Sequence, residues 1–276
     1  MKPKKWSLAL QWILTVIMAF LSLFPLYLVL INAFKTHAEI VANPVAFPIE
    51  VYWQNFTTAW KTADFGHGFL NSLRLVSVTA LIVLVASLPA GYVLGMRKFR
   101  GNRIVQIYFL MAMTVPVQLF LFPLYAALSK LGLIGNVYAV CFIIAAINMP
   151  LSVMLMRTFF MRIPVTIEEA ARLDGASTSQ LLRYVIIPMV RPGIITVAVL
   201  VVLNAWNEYL ISSTFLQGNE NFTVTLGYLS LNGGSVTHDQ GMKMAGALII
   251  IVPILIFFLS LQKYFVDGMT NGAVKE

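Results

Sequence analysis

The chain has 276 residues, of which 59% are hydrophobic and only 11% charged, with a mean hydropathy of +0.83. Soluble domains carry about 45–50% apolar and about 25% charged residues, so an ordinary soluble enzyme is excluded, and so is a disordered chain. The formal charge of +8, from 19 Lys and Arg against 11 Asp and Glu, fits either nucleic-acid binding or orientation in a bilayer, and the positions of the cations decide between the two.

Six apolar stretches, at 10–34, 73–96, 104–128, 137–160, 193–215 and 245–264, each exceed or match the ~20 residues that a helix needs to cross the hydrocarbon core. The first follows Lys2, Lys4 and Lys5. It is longer than the roughly 7–15 apolar residues of a secretion signal and has no small-residue cleavage site before Lys35, so it reads as an uncleaved anchor. A cytoplasmic start places three further segments on that side: 97–103, 157–191 and the tail after Tyr264. With the start, and with Lys263 beside the tail, these hold 14 of the 19 Lys and Arg and leave Lys35, Lys61, Arg74, Lys130 and Lys243 outside. The excess of basic residues predicts both termini in the cytoplasm. Nucleic acid is not needed to explain the charge. Segments 35–72 and 216–244 are then outer loops, with Pro44, Pro48, Gly66, Gly68 and the Gly233-Gly234 pair as turn signals.

The cytoplasmic loop 157–192 carries the densest local pattern. Thr166 followed by Glu169 is a capping-box spacing that can open a helix, and Gly175 suits the left-handed position that closes one. Ser177 with Gln180 repeats the capping box. Leu181, Leu182 and Val185 then give a second helix an apolar stripe before Pro188 ends it. The expectation is a helix, a turn and a second helix outside the membrane, docking against something. The only cysteine, Cys141, allows no intrachain disulfide or thiolate cage.

The spacing Glu169-Ala170-Ala171, three residues, Gly175, nine residues, Val185-x-Ile187-Pro188 resembles the EAA loop of bacterial ABC-importer permeases, whose usual ending is Ile-x-Leu-Pro. Asp174 before the glycine, Trp206-Asn207-Glu208, Asn71-Ser72-Leu73 and the ending from Tyr264 to Lys275 are similar to the carbohydrate-importing subgroup of the maltose and multiple-sugar type. The likeness covers nearly the whole chain. It implies an all-α membrane protein of the type I ABC-importer permease architecture, a single transmembrane domain over 1–276 with six helices. It further implies a second, related permease subunit, two cytoplasmic ATPase subunits, an extracytoplasmic sugar-binding protein, and residence in the bacterial inner membrane.

By the same resemblance Glu169, Ala170, Ala171, Asp174, Gly175 and Pro188 form the joint to the ATPase. Small alanines allow close approach, and Glu169 either pairs with a basic residue there or caps its own helix. No Walker glycine loop is present: Asn232-Gly233-Gly234 lacks a following Lys-Ser or Lys-Thr. ATP and magnesium therefore belong to the partner subunits, and this chain binds no cofactor and has no catalytic residue. Leu231, Asn232, Gly233 and Gly234, within a compact tip at 228–236, are candidates for contact with the binding protein. The tail from Asp267 is expected to be flexible, either frayed or reaching toward the ATPases.

Asn204, Asn207 and Glu208 fall at i, i+3 and i+4 and so share one face of the fifth helix. They either line the path of the solute or fasten helices together. Asn148 is expected to serve backbone groups at the Pro150 kink. His37, His67 and His238 are too scattered for a metal site. Two other classes remain. A membrane-embedded enzyme using Glu208 with His238 predicts activity of the isolated chain, and a secondary transporter predicts inverted repeats with broken helices near the midplane, neither of which the sequence shows.

Overall fold

The computed structural model describes residues 5–232 and 239–273, and among them the chain is helical with no strand. In chain order the elements are α1 (Lys5–Asn32), α2 (His37–Ala42), α3 (Gln54–Thr62), α4 (Phe65–Met96) and α5 (Asn102–Ala112). A 3-10 turn at Val117–Phe120 leads to α6 (Leu121–Lys130) and then α7 (Val137–Phe160), α8 (Val165–Leu173) and α9 (Thr178–Gln180). A π-helical segment, Leu181–Ile186, continues into α10 (Ile187–Met189), α11 (Arg191–Trp206) and α12 (Leu210–Phe215). After a 3-10 turn at Asn219–Asn221 come α13 (Val224–Ser230) and α14 (Gln240–Ala273).

Four of these are long and apolar enough to cross a bilayer: α1 from Leu10, α4, α7, and α14 as far as Lys263. Two bent pairs, α5 with Val117–Lys130 at 88° and Thr178–Met189 with α11 at 69°, bring the number to six if each pair is one span.

Of the expected spans, 137–160 matches α7 at both ends, and four others need correction. The second begins at Phe65, so Asn71 and Ser72 lie inside α4, and the outer segment before it carries α2 and α3. Lys35, expected in water, is buried, and its Nζ donates to the Asn43 carbonyl at 3.1 Å. The third is interrupted at 113–116, where Pro116 has no N–H to donate and disfavours helix at the residue before it. The fifth stops at Trp206, with Asn207 as its C-cap. The sixth extends at both ends, and its helix continues through the tail to Ala273.

The chain forms two compact units, Met1–Gly66 with Gly227–Pro253, and His67–Leu226 with Ile254–Glu276. In the first, Asn55 Nδ2 donates to the carbonyls of Ala33 and Lys35 at 2.9 and 2.8 Å, tying α3 to the end of α1. A Cβ at Gly241 would fall 2.4 Å from the Lys35 carbonyl, so only glycine lets α14 pass there. In the second, a core of Val83, Tyr92, Met156, Phe160, Leu181, Ile186 and Val197 joins α4, α7, the π-helical segment and α11. Close approach makes that core tight: a Cβ at Gly91 would lie 2.6 Å from Met156 Cβ, and one at Gly193 would lie 2.4 Å from Phe159 Cγ.

Candidate functional site

The elbow after α7 is built from local rules. Pro164, at φ −59°, precedes α8 as its N-cap and supplies no side-chain cap. Thr166 is already inside the first turn, which corrects the expected Thr166–Glu169 capping box, and Glu169 does not serve as part of a cap.

The exit of α8 follows the expectation at Gly175, whose φ is +83°. The Gly175 N–H donates to the Arg172 carbonyl at 3.1 Å, and the Ala176 N–H donates to the Ala171 carbonyl at 3.0 Å. These are the paired bonds of a Schellman ending, closing carbonyls that a helix end leaves open. The second capping box is present: Ser177 Oγ accepts from the Gln180 N–H, and Gln180 Oε1 accepts from the Ser177 N–H at 2.8 Å. Pro188 does not end the second helix, as expected, but stands inside α10, and the turn to α11 comes at Val190. The π-helical segment before it carries the Ile187 N–H to the Leu182 carbonyl.

This elbow is seated by buried apolar anchors. Ile163, Leu181, Ile186 and Val190 are buried in the same core as Met156 and Phe160, and a fully buried Leu or Ile contributes ~1.5–3 kcal/mol. Its outer surface is left open. Glu169, Ala170, Asp174 and Gly175 are exposed and Ala171 is half-buried, while Leu173 is 89% exposed. Tyr184 and Val165 are exposed beside them in sequence. An apolar tip on a rigid mount, rimmed by two carboxylates, is what a docking surface requires.

A charged brace that the sequence reading missed holds α8 from behind. Glu168, whose side chain is only 6% exposed, accepts from Arg97 Nη2 at 2.5 Å and from Arg172 Nε at 3.0 Å. Arg97 also bonds the Tyr92 hydroxyl, and its guanidinium lies 5.0 Å from that ring's centroid. Burial alone would push the Glu168 carboxyl up, but the two guanidiniums hold it below its usual value. Glu168 and Arg172 stand at i, i+4, a visible signal of half the brace; Arg97, 71 residues away, has no local signal.

The second candidate group does not share a helix face, because α11 ends before Asn207 and Glu208. Asn204 Nδ2 donates to Asn148 Oδ1 at 3.0 Å, joining α11 to α7. Asn207 Nδ2 returns to the Leu203 carbonyl. Glu208 caps the next helix: its carboxylate accepts from the N–H groups of Ile211 and Ser212 at 2.6 and 2.8 Å and from the Ser212 hydroxyl at 2.7 Å. Asn148 Nδ2 donates to the Ile144 carbonyl, not to the Ala146 carbonyl that Pro150 leaves open.

Of the outer-tip residues, Leu231 is buried, correcting its place on a contact surface, and Asn232 is exposed. Gly233, Gly234 and His238 lie outside the described residues. Asn71 and Ser72 act as fasteners: Asn71 Nδ2 donates to the carbonyls of Glu220 and Phe222, and Ser72 Oγ accepts from the Val224 N–H at 2.9 Å.

Residues 87–271 match the family described as binding-protein-dependent transport system inner membrane component. Along 99% of its length the chain is 30% identical to the probable ABC transporter permease protein YurM of Bacillus subtilis, covering 92% of that protein. It is 29% identical, over 98% of itself and 97% of the relative, to the melibiose/raffinose/stachyose import permease protein MelC of the same organism. It is also 29% identical to the arabinooligosaccharides transport system permease protein AraQ of Halalkalibacterium halodurans, over 99% of each. A bacterial ABC transporter involved in the import of the acidic polysaccharide alginate shares the fold, with a TM-score of 0.79 at 22% identity over 93% of this chain and 95% of that one.

Proposed function

The chain belongs to the family of inner membrane components of binding-protein-dependent transport systems, and from that premise we propose that it is a permease subunit of an ATP-driven sugar importer. It forms half of the translocation path with a second, related permease. Two cytoplasmic ATPases dock on the elbow, and an extracytoplasmic binding protein delivers the sugar. The sugar class is supported by relatives named for melibiose, arabinooligosaccharide and chitobiose-type substrates.

The observation that carries the reading is the elbow. Leu173, at 89% exposure, stands between Glu169 and Gly175 on a helix that the Glu168 brace and the Leu181–Ile186 anchors hold fixed. With Val165 and Tyr184 exposed on the same elbow, Leu173 supports a reading in which a partner covers this apolar surface. Chemistry on ATP and magnesium then occurs on the partner, and this chain contributes no reacting group. Six spans with both termini in the cytoplasm put the elbow on the ATPase side, in keeping with the excess of Lys and Arg there.

The experiment is co-expression with the candidate partner subunits, purification through this chain, and sugar uptake into vesicles. Wild type should retain the ATPase and import only with ATP and binding protein. Leu173→Asp should release the ATPase while leaving the two permeases associated. Import by this chain alone without ATP would overturn the reading.

A further inference from the structure

The end of α2 and the segment that joins it to α3 have an unusual surface. Val41, Val45, Phe47, Ile49, Val51 and Trp53 are all exposed, Phe47 at 75% and Ile49 at 87%, with Glu50 as the one charge between Glu39 and Lys61. The segment is folded back along α1. Asn32 Nδ2 donates to the Pro44 carbonyl at 3.0 Å, the Tyr27 hydroxyl donates to the Val45 carbonyl at 2.9 Å, and the Phe47 ring meets the Tyr27 ring edge-on at 6.0 Å.

Tyr27 lies five residues before the end of α1, or ~7.5 Å along the axis. The apolar stretch Leu10–Asn32 has 23 residues, ~34 Å at that rise, against a hydrocarbon core ~30 Å thick. Phe47 is therefore held at the depth where a Tyr of a membrane helix meets the boundary between headgroups and acyl chains.

Part of the backbone is satisfied from within the fold. The N–H groups of Val45 and Ala46 both donate to Asn43 Oδ1 at 3.1 Å, that of Ile49 donates to Glu39 Oε1 at 3.1 Å, and that of Tyr52 donates to the Phe34 carbonyl at 2.9 Å. Pro44 and Pro48 have no N–H to satisfy. The carbonyls of residues 43, 44 and 45 accept from Lys35, Asn32 and Tyr27. Irregular backbone near hydrocarbon needs internal satisfaction, and these bonds supply it at the N–H groups of residues 45, 46, 49 and 52. The apolar residues also continue the exposed surface of α1 at Leu23, Leu26 and Leu30.

From this geometry we infer that the 41–53 segment is an interfacial anchor, inserting Phe47 and Ile49 into the lipid leaflet at the C-terminal end of α1. The ligand is the bilayer itself. The inference holds whichever way the chain is inserted and stands apart from the transport reading.

The test places single cysteines at Val41, Phe47 and Ile49 in a Cys141→Ala background. They are spin-labelled in the assembled transporter, in vesicles of phosphatidylethanolamine and phosphatidylglycerol. Val41→Cys leaves the Tyr27–Phe47 contact intact. Labels at 47 and 49 should collide with oxygen several-fold more often than with a water-soluble nickel chelate present on both sides, as a label at Leu23 does. Preferential collision with the chelate would make the segment a solvated loop and overturn the inference. Protection from both would make it a protein interface and overturn it equally.

Discussion

Removing the Arg97 guanidinium should weaken the elbow more than neutralising the carboxylate it holds. Breaking a buried ion pair costs ~3–5 kcal/mol when the surviving charge stays buried, whereas an exposed pair is worth ~0–1 kcal/mol. In Arg97→Ala the survivor is Glu168, 6% exposed, with Arg172 still at 3.0 Å, which places the loss between those limits at ~2 kcal/mol. In Glu168→Gln the survivors are Arg97 and Arg172, whose side chains are 38% and 46% exposed and regain water, so the loss is ~1 kcal/mol.

The acid limb follows the same asymmetry. The Glu168 carboxyl is depressed in the fold, so its contribution is present above the unfolded value of about 4.3 and is lost as pH falls through the lower folded value. Arg97→Ala should move that loss to higher pH, and Glu168→Gln should abolish it. The assay is thermal unfolding of the purified complex from pH 3 to 8, together with ATPase activity and sugar uptake. Equal or greater destabilisation by Glu168→Gln would refute the argument, because it would mean that the carboxylate is not the charge stranded by burial.

Three further outcomes follow from the geometry. A Cβ at Gly175 meets no atom within 4 Å, yet Gly175→Val strains a backbone at φ +83° by ~1–2 kcal/mol; ATP hydrolysis should continue while uptake falls, and normal uptake would remove the turn from coupling. Glu208→Ala should cost ~0.5–2 kcal/mol as a lost helix cap, seen as a lower melting temperature. Glu208→Gln, which keeps one carbonyl acceptor, should retain most stability and transport; abolished transport at unchanged stability would restore Glu208 to the solute path. Gly193→Ala should destabilise by ~1–3 kcal/mol through overpacking on Phe159, measured by the same melt.

What was legible in the sequence followed local physics. The α7 boundaries came from an unbroken apolar run, and the Gly175 and Ser177–Gln180 features came from side-chain chemistry that acts within four residues. The broken third and fifth spans were not legible because hydropathy counts apolar side chains and ignores the backbone ladder, although Pro116 marked one break. Glu208 reads as an intramembrane charge only if the helix continues past Trp206. Beyond its i, i+4 spacing to Arg172, Glu168 carries no signal that sets it apart from Glu169, because its other partner, Arg97, comes from the end of another helix. Thr166 lost its capping role to Pro164, whose fixed φ begins the helix two residues earlier.

The interruptions at 113–116 and 207–209 also set where acyl chains cannot go. Met113, Val115, Asn207 and Tyr209 are exposed on this chain, and peptide groups released from a helix at membrane depth are not tolerated against lipid. Whatever part of these breaks lies within the hydrocarbon must therefore be wetted or covered by another polypeptide, whereas the intact turns of α1 impose no such demand. The surroundings of each break are thus assigned by its backbone, even where the neighbouring side chains are apolar.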